Sequence, residues 1–206
     1  MAPKNKFTRE EMVAAALRVV RRKGADALTA KALAEELGTS TQPVFTCFGT
    51  MDALKAEVSA AAEELFDEYI QDGLREKIPF LGFGIHYVLF AREEPALYRM
   101  LLLSPVAGQA GGALRAMSHA KELVSPRLME FYHISRGDAD RYFRDMWLVA
   151  HSLASLAVTG VCFEREELEQ IMTGFSMSLL RSIKEIPGFA DNTYDRDTVF
   201  STMVNG

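Results

Sequence analysis

The segment from Leu28 to Phe48, LTAKALAEELGTSTQPVFTCF, constrains the fold of this chain more than any other segment. Thr29 can cap a short helix that begins at Ala30, because its hydroxyl accepts a hydrogen bond from a free N–H group of the first turn. Gly38 ends that helix, since glycine takes the left-handed conformation after a helix without steric cost. The pattern therefore predicts a helix over 30–37 and then a tight turn.

A second short helix follows the turn. Ser40 is placed to cap it, and Pro43 is tolerable there because it falls in the first turn, where its missing N–H is not needed. The apolar residues expected to face inward are Leu33, Ala34 and Leu37 on the first helix and Val44 and Phe48 on the second. The side chains left on the outer face of the second helix are Thr41, Gln42, Phe45 and Thr46. This geometry is the one that places a recognition helix in the major groove of DNA.

Helical periodicity continues through most of the chain, and no strand alternation of useful length appears. Thr8 and Glu11 form a capping box that opens a helix ending at Gly24, and Thr50 caps a further helix that runs to about Tyr69. Later helices are expected near 79–103, 112–123, 126–132, 135–159 and 164–186, with a loop over 104–112 and a polar tail carrying Val199, Phe200 and Met203. The sequence thus predicts an all-α fold with a three-helix head over 1–54 and a body of about six helices over 55–206.

The charge is distributed unevenly along the chain. The net charge is -5, yet residues 1–57 carry nine Lys and Arg against seven Asp and Glu. A mildly basic head on an acidic body is consistent with phosphate contact by the head, including a basic arm over 1–6. Cys47 and Cys162 are too few for a disulfide framework, and no signal peptide opens the sequence, so we expect a cytoplasmic protein.

The head resembles that of TetR-family transcriptional regulators over residues 8–58. The positions that carry the resemblance are Gly24, Thr29, Leu33, Ala34, Leu37, Gly38, Phe45 and Phe48. In the body, PALYRMLLLS and WLVAHSLASL are similar to one ligand-domain subgroup of the family. The resemblance implies a ligand-responsive repressor that binds a palindromic operator in double-stranded DNA as a dimer. The DNA contacts that it implies come from Lys31, Thr41, Gln42, Pro43, Phe45 and Thr46.

The recognition helix departs from the family pattern in its charge. Met51 occupies a place where many relatives carry a phosphate-binding lysine, and the helix itself has no Arg, Lys or Asn. Phosphate anchoring would then depend on the backbone N–H groups near Thr50, on Lys55 and on the N-terminal arm. Specificity would depend on Gln42, which can pair bidentately with adenine, and on contacts from threonine and proline to thymine methyl groups.

The body is rich in aromatic and thioether side chains. Most of them are expected to form plain core, but such an excess also suits a cavity for a small apolar or aromatic effector. The effector-site candidates are Phe83, His86, Tyr87, Phe90, Tyr98, Met117, Trp147 and His151. His86 and His151 would be its polar groups, although a single histidine facing a core is more often part of hydrogen-bonded packing.

The last two long helices carry many small residues, including Ala150, Ser152, Ala154, Gly174 and Ser178. Small residues let helices approach closely, so these two helices are expected to form a four-helix bundle with a second copy; the alternative is packing on the rest of the body. No residue set has the spacing of a metal site, and no nucleophile elbow or paired-acid pattern appears, so we expect neither a cofactor nor an enzyme. No stretch is apolar enough for a membrane span. Two alternatives stay open: a transcriptional activator, and a helical small-molecule carrier or enzyme whose head has lost DNA binding.

Overall fold

The computed structural model describes residues 7–104 and 112–205. Its helices are α1 (Arg9–Lys23), α2 (Ala30–Leu37), α3 (Gln42–Phe48), α4 (Met51–Leu74), α5 (Pro79–Glu93), α6 (Pro95–Tyr98), α7 (Gly112–Tyr132), α8 (Arg136–Ala157), α9 (Arg165–Glu185) and α10 (Arg196–Asn205). A 3-10 turn (Ala25–Ala27) follows α1, and a π-helical turn (Arg99–Leu103) follows α6. The described residues contain no strand, so the predicted all-α class is confirmed. The basic arm over 1–6 and residues 105–111 of the expected loop lie outside the described residues.

Helices α1 and α2 begin and end where short-range signals predict, and α4 begins where its signal predicts. Thr8 and Glu11 form the capping box of α1. The hydroxyls of Thr29 and Thr50 accept hydrogen bonds from the N–H groups three residues later, at 3.1 Å in both cases. Gly38 adopts the left-handed conformation with φ 63° and ψ 42°. These caps satisfy backbone groups that each helix end would otherwise leave without a partner.

The body is a bundle in which α5 and α8 are central. α5 packs against α4, α8 and α9, and α8 also packs against α7 and α9. Tyr87 and Phe90 of α5 and Trp147 of α8 are almost fully buried. One continuous apolar core therefore extends from the head into the body.

The end of α4 approaches the start of α5 at a pair of glycines. A Cβ on Gly82 would lie 2.1 Å from the carbonyl oxygen of Gly73, and a Cβ on Gly73 would lie 2.5 Å from that of Gly82. The two backbones are therefore in direct contact, which only a residue without a side chain permits. The helix α4 continues to Leu74, beyond the predicted end near Tyr69, because Ile70 and Gly73 are buried against the body.

The prediction of two separate helices over 112–123 and 126–132 is wrong. The chain forms a single helix α7, with Pro126 inside it. An internal proline removes one hydrogen bond and costs about 3 kcal/mol. The flanking Val124 and Leu128 are 4% and 1% exposed, and the buried hydroxyl of Ser125 donates to Asp140 Oδ1 at 2.7 Å. Packing against α8 thus outweighs the local preference of proline.

The polar tail after α9 contains a helix that the sequence analysis did not name: α10, which Asp195 caps by accepting hydrogen bonds from the N–H groups of Asp197 and Thr198. One further local prediction is wrong. Ser40 does not cap α3, since the residue at that position is Thr41, which makes no side-chain capping bond. The carbonyl oxygen of Thr41 instead accepts from the N–H groups of the first turn.

Candidate nucleic-acid interface and effector site

The two helices of the candidate DNA-reading unit pack through the inner faces that the sequence predicts. Leu33 and Ala34 of α2 and Val44 and Phe48 of α3 are buried. The remaining inner residue, Leu37, is half-buried. α3 therefore packs against α2 through one face, and its opposite face is exposed.

The outer face of α3 presents the predicted reading residues to solvent. Thr41, Gln42 and Thr46 are exposed, Phe45 is 44% exposed and Pro43 is half-buried. The hydroxyl of Thr46 donates to the carbonyl oxygen of Gln42 at 2.9 Å. Because that proton is already used, Thr46 can offer a base only an acceptor oxygen and a methyl group. The Gln42 amide, in contrast, can donate and accept through two separate atoms, as bidentate pairing with one base requires.

The position of α3 is fixed by Arg9, at the start of α1. Its guanidinium pairs with the carboxylate of Glu57 on α4 and donates to the carbonyl oxygen of Cys47 at 2.8 Å. The same group lies over the ring of Phe48, 4.6 Å from the centroid. Arg9 thus joins the first helix to the end of the recognition helix and to α4. Its role rests on contacts 38 and 48 residues away, which no local sequence signal reveals.

Most arginines of the head form ion pairs within the protein. Arg18 and Arg22 both pair with Glu36 of α2, and the hydrogen bonds from Arg18 and then Arg22 hold the pKa of that carboxyl below its usual value. Arg21 forms a bidentate pair with Glu94, with both N–O distances at 2.8 Å. Each of these guanidinium groups is therefore paired with a carboxylate, and Arg18 and Arg22 share one.

The two predicted lysine contacts are both on the surface. The side chain of Lys31 is 85% exposed, and its ammonium lies 4.0 Å from Glu35 on the next turn of α2. Lys55 is exposed on the second turn of α4. The hydroxyl of Thr50 already takes the N–H of Ala53, so a phosphate at this helix end would have to use other N–H groups of the first turn.

Four of the predicted effector-site residues lie together in the core of the body. The hydroxyls of Tyr87 and Tyr98 lie 2.9 and 2.8 Å from Nδ1 of His151, and the imidazole stacks on Trp147 at 4.7 Å with 9° between the planes. Burial lowers the pKa of His151 and raises that of Tyr87. The cluster is therefore uncharged at neutral pH, and both hydroxyl groups meet the imidazole at the same ring nitrogen.

The other predicted effector residues lie elsewhere. Nε2 of His86 lies 2.9 Å from Glu76 Oε1, the oxygen that also accepts from Arg165 at the start of α9. Burial opposes ionisation of Glu76, but the hydrogen bonds from Arg165 and His86 outweigh it and hold the pKa of the carboxyl below its usual value. Phe90 packs edge-on against Phe66 and Tyr69. Met117 is half-buried on α7, and Phe83 packs against Phe143.

Two cavities lie near these residues. A small, partly open cavity of about 20 Å³ lies between α5, α7, α8 and α9, and Phe83 and Trp147 are the predicted effector residues that line it. An open groove of about 350 Å³ lies along α8 and α9, lined by Asp145, Met146, Val149, Phe175, Ser178, Leu179 and Ser182. Met146 lines both spaces. The sequence predicts a body cavity that includes Phe83 and Trp147, but it predicts neither the open groove nor the wall that Met146 forms between the two spaces.

The described residues contain no group of three or more His, Cys, Asp or Glu side chains that could hold a metal ion. Cys47 and Cys162 are free thiols. Over 7–104 and 112–205, no helix has both the length and the apolar composition to cross a membrane.

The comparison with known families identifies the head. Residues 12–58 match the family described as bacterial regulatory proteins, tetR family. The matched segment begins in α1 and ends in α4, so it contains both α2 and α3. No match to a curated protein was found. Residues 12–58 therefore form a TetR-type helix-turn-helix head, and this head identifies the chain as a DNA-binding transcriptional regulator.

Proposed function

We propose that this regulator is a ligand-responsive repressor that binds a palindromic operator as a homodimer. Residues 1–54 would bind DNA, and residues 55–206 would bind the effector and form the dimer. The boundary between them lies inside α4, which runs without interruption from Met51 to Leu74. This continuous helix is the observation that carries the proposal, because it links the reading head directly to the body.

DNA reading would depend on the outer face of α3. Gln42 would pair with adenine through its amide, which both donates and accepts. The other outer residues would make apolar contacts with the bases: Thr41, Pro43, Phe45 and Thr46. Lys31 and Lys55 would contact phosphates, which position the head without reading sequence. The exposure of these side chains supports the assignment.

Dimerisation would use α8 and α9. Four large apolar side chains on these helices are exposed: Leu148 at 49%, Leu156 at 42%, Phe175 at 55% and Met177 at 67%. Together with the open apolar groove, they form a surface of the kind that a partner covers. A second copy using the same surface would give a symmetric four-helix contact.

The effector response would pass through α4. This helix of 24 residues spans about 36 Å, at 1.5 Å per residue, and its last turn contacts α5 at Gly73 and Gly82. At the other side of the head, Arg21 ties α1 to Glu94, which follows the end of α5. A ligand that shifts α5 would therefore move the head at two points. Because half-sites recur at about 34 Å, a shift of a few ångströms would break simultaneous contact of both heads.

Operator selection from a random duplex pool tests the DNA-binding part. We expect a two-fold symmetric sequence, bound with an affinity that falls as salt rises. Gln42→Ala should weaken operator binding by about 5- to 150-fold for each half-site and relax the preference at one base pair in each half-site. Gln71→Ala is the matched control, because Gln71 is exposed near the other end of α4. Equal binding of all duplexes, or equal effects of both variants, would refute the assignment.

Sedimentation equilibrium tests the dimer. The full chain should sediment as a dimer, and Phe175→Glu should shift it to a monomer with weaker operator binding, because a charge would be buried in the contact. Leu114→Glu is the control, since Leu114 is equally accessible, at 50%, but lies on α7. A full chain that is monomeric at micromolar concentration would exclude the dimer.

A further inference from the structure

The small cavity between α5, α7, α8 and α9 has an apolar lining. Phe80, Phe83 and Gly84 of α5, Trp147 of α8 and Met172 of α9 are among the residues that line it. Its volume of about 20 Å³ is near the minimum that holds one water molecule, and an apolar cavity of this kind stays dry. The space is therefore a packing gap in the observed state, too small for any effector.

The lining carries no charged side chain. Its phenolic group, Tyr142, is hydrogen-bonded to Ser176 at 2.7 Å, and burial raises the pKa of that hydroxyl, so it stays protonated. A charged molecule in this space would lose its hydration without gaining a counterion. The rings of Phe83 and Phe143 meet edge-on at 5.9 Å, an arrangement that a further aromatic ring can extend.

Two methionines form the adaptable part of the lining. The methyl carbon of Met172 lies 2.2 Å from where a Cβ on Gly84 would be, so its side chain fills the notch that this glycine leaves in α5. Met146 lies between this cavity and the open groove and lines both. Methionine side chains have three rotatable bonds and repack readily. Both side chains can therefore move without a change in the helices.

We propose that this cavity opens to bind an uncharged aromatic molecule of one or two fused rings. Met172 leaves the notch at Gly84, Met146 turns into the groove, and the ring takes the space between Phe83, Phe143 and Trp147. An apolar cavity of roughly 150 Å³ holds a benzene-sized molecule, so the two methionines supply most of the volume. The inference rests on the proposed ligand-responsive function and names the class of its effector.

The test uses the full chain, labelled with ¹³C at the methionine methyl groups, and indole as the probe. We expect the methyl resonances of Met172 and Met146 to shift saturably with indole. The resonance of Met203, which is 64% exposed on α10, should not shift. Indole-3-carboxylate, which adds one negative charge to the same ring, should bind about 100-fold more weakly.

A pair of variants tests the role of Met172. Met172→Ala removes the side chain that closes the cavity, so indole should bind about tenfold more tightly, because no closed state competes with binding. Met203→Ala should leave the affinity unchanged. If Met172→Ala does not fold, the titration of the unsubstituted chain decides alone. Unshifted Met172 and Met146 resonances at saturating indole, or equal binding of indole and its carboxylate, overturn the proposal.

The test of the cavity and the test of the proposed repressor function have separate readouts. Operator binding is measured without indole, and the methyl titration is measured without DNA. A chain that binds its operator but gives no methyl shifts refutes the cavity alone. A chain whose methyl groups respond but which selects no duplex refutes the repressor and leaves the cavity in place.

Discussion

The glycine contact between α4 and α5 gives a sharp prediction for Gly82→Ala. The added methyl group would lie 2.1 Å from the carbonyl oxygen of Gly73 and 2.9 Å from Cβ of Glu76. Ordinary contact begins near 3.4 Å, so the two helices must separate by about 1.3 Å at this point. The obstructing atom belongs to the backbone, so no side-chain rotation can relieve the clash.

The size of the effect follows from this geometry. Overpacking of this kind costs about 1–3 kcal/mol, and a backbone contact belongs in the upper half of that range. The lower entropy of alanine in the unfolded chain returns up to about 1 kcal/mol. A net loss of about 2 kcal/mol lowers the melting temperature of a chain of this length by about 4–8 °C.

Thermal unfolding followed by circular dichroism measures the change at one fixed protein concentration, since a dimer melts at a temperature that depends on concentration. Gly137→Ala is the matched control: a Cβ there meets only Ser135 Oγ, at 3.8 Å, so this variant should be neutral or slightly stabilised. If Gly82→Ala melts within 1 °C of the unsubstituted chain, the helices are not in backbone contact and the described route from body to head is wrong.

Three other predictions concern single side chains. Burial lowers the pKa of His151 in the folded chain, so the unfolded chain binds a proton first as the pH falls below about 6.5. The free energy of unfolding should therefore decrease below that pH. Urea titrations at several pH values should show a weaker pH dependence for His151→Gln. Glu94→Gln removes the bidentate partner of Arg21, so amide exchange at the end of α1 should become faster while overall stability changes by less than about 1 kcal/mol. Leu33→Ala empties a fully buried position in the head and should lower the free energy of unfolding by about 2–5 kcal/mol, measured in urea.

Much of the helical framework could be predicted because its signals are local. The capping box of Thr8 and Glu11, the cap at Thr29 and the left-handed Gly38 each act over three or four residues. Pro126 shows where such reasoning fails, since its local preference is overruled by burial of the residues beside it. Asp195 was a readable signal for α10 that the prediction of a polar tail missed.

The candidate sites were predictable to different extents. The outer face of α3 follows from helical periodicity, so the exposure of Gln42 and Thr46 agrees with expectation. The contacts of Arg9 with Glu57 and of Arg21 with Glu94 join residues 48 and 73 positions apart, and no spacing rule reaches that far. The contact between Gly84 and Met172 joins two helices far apart in the sequence, so it follows only from how the helices pack.

The internal pairing of Arg18, Arg21 and Arg22 has a consequence for how this regulator searches a chromosome. Non-specific attachment to DNA grows with the number of cations that displace counterions from phosphates. With these guanidinium groups committed to carboxylates, the described part of the head offers few such cations. We therefore expect the protein to dissociate quickly from non-specific DNA. Its residence time on DNA should then depend mainly on its contacts with the individual base pairs of the operator.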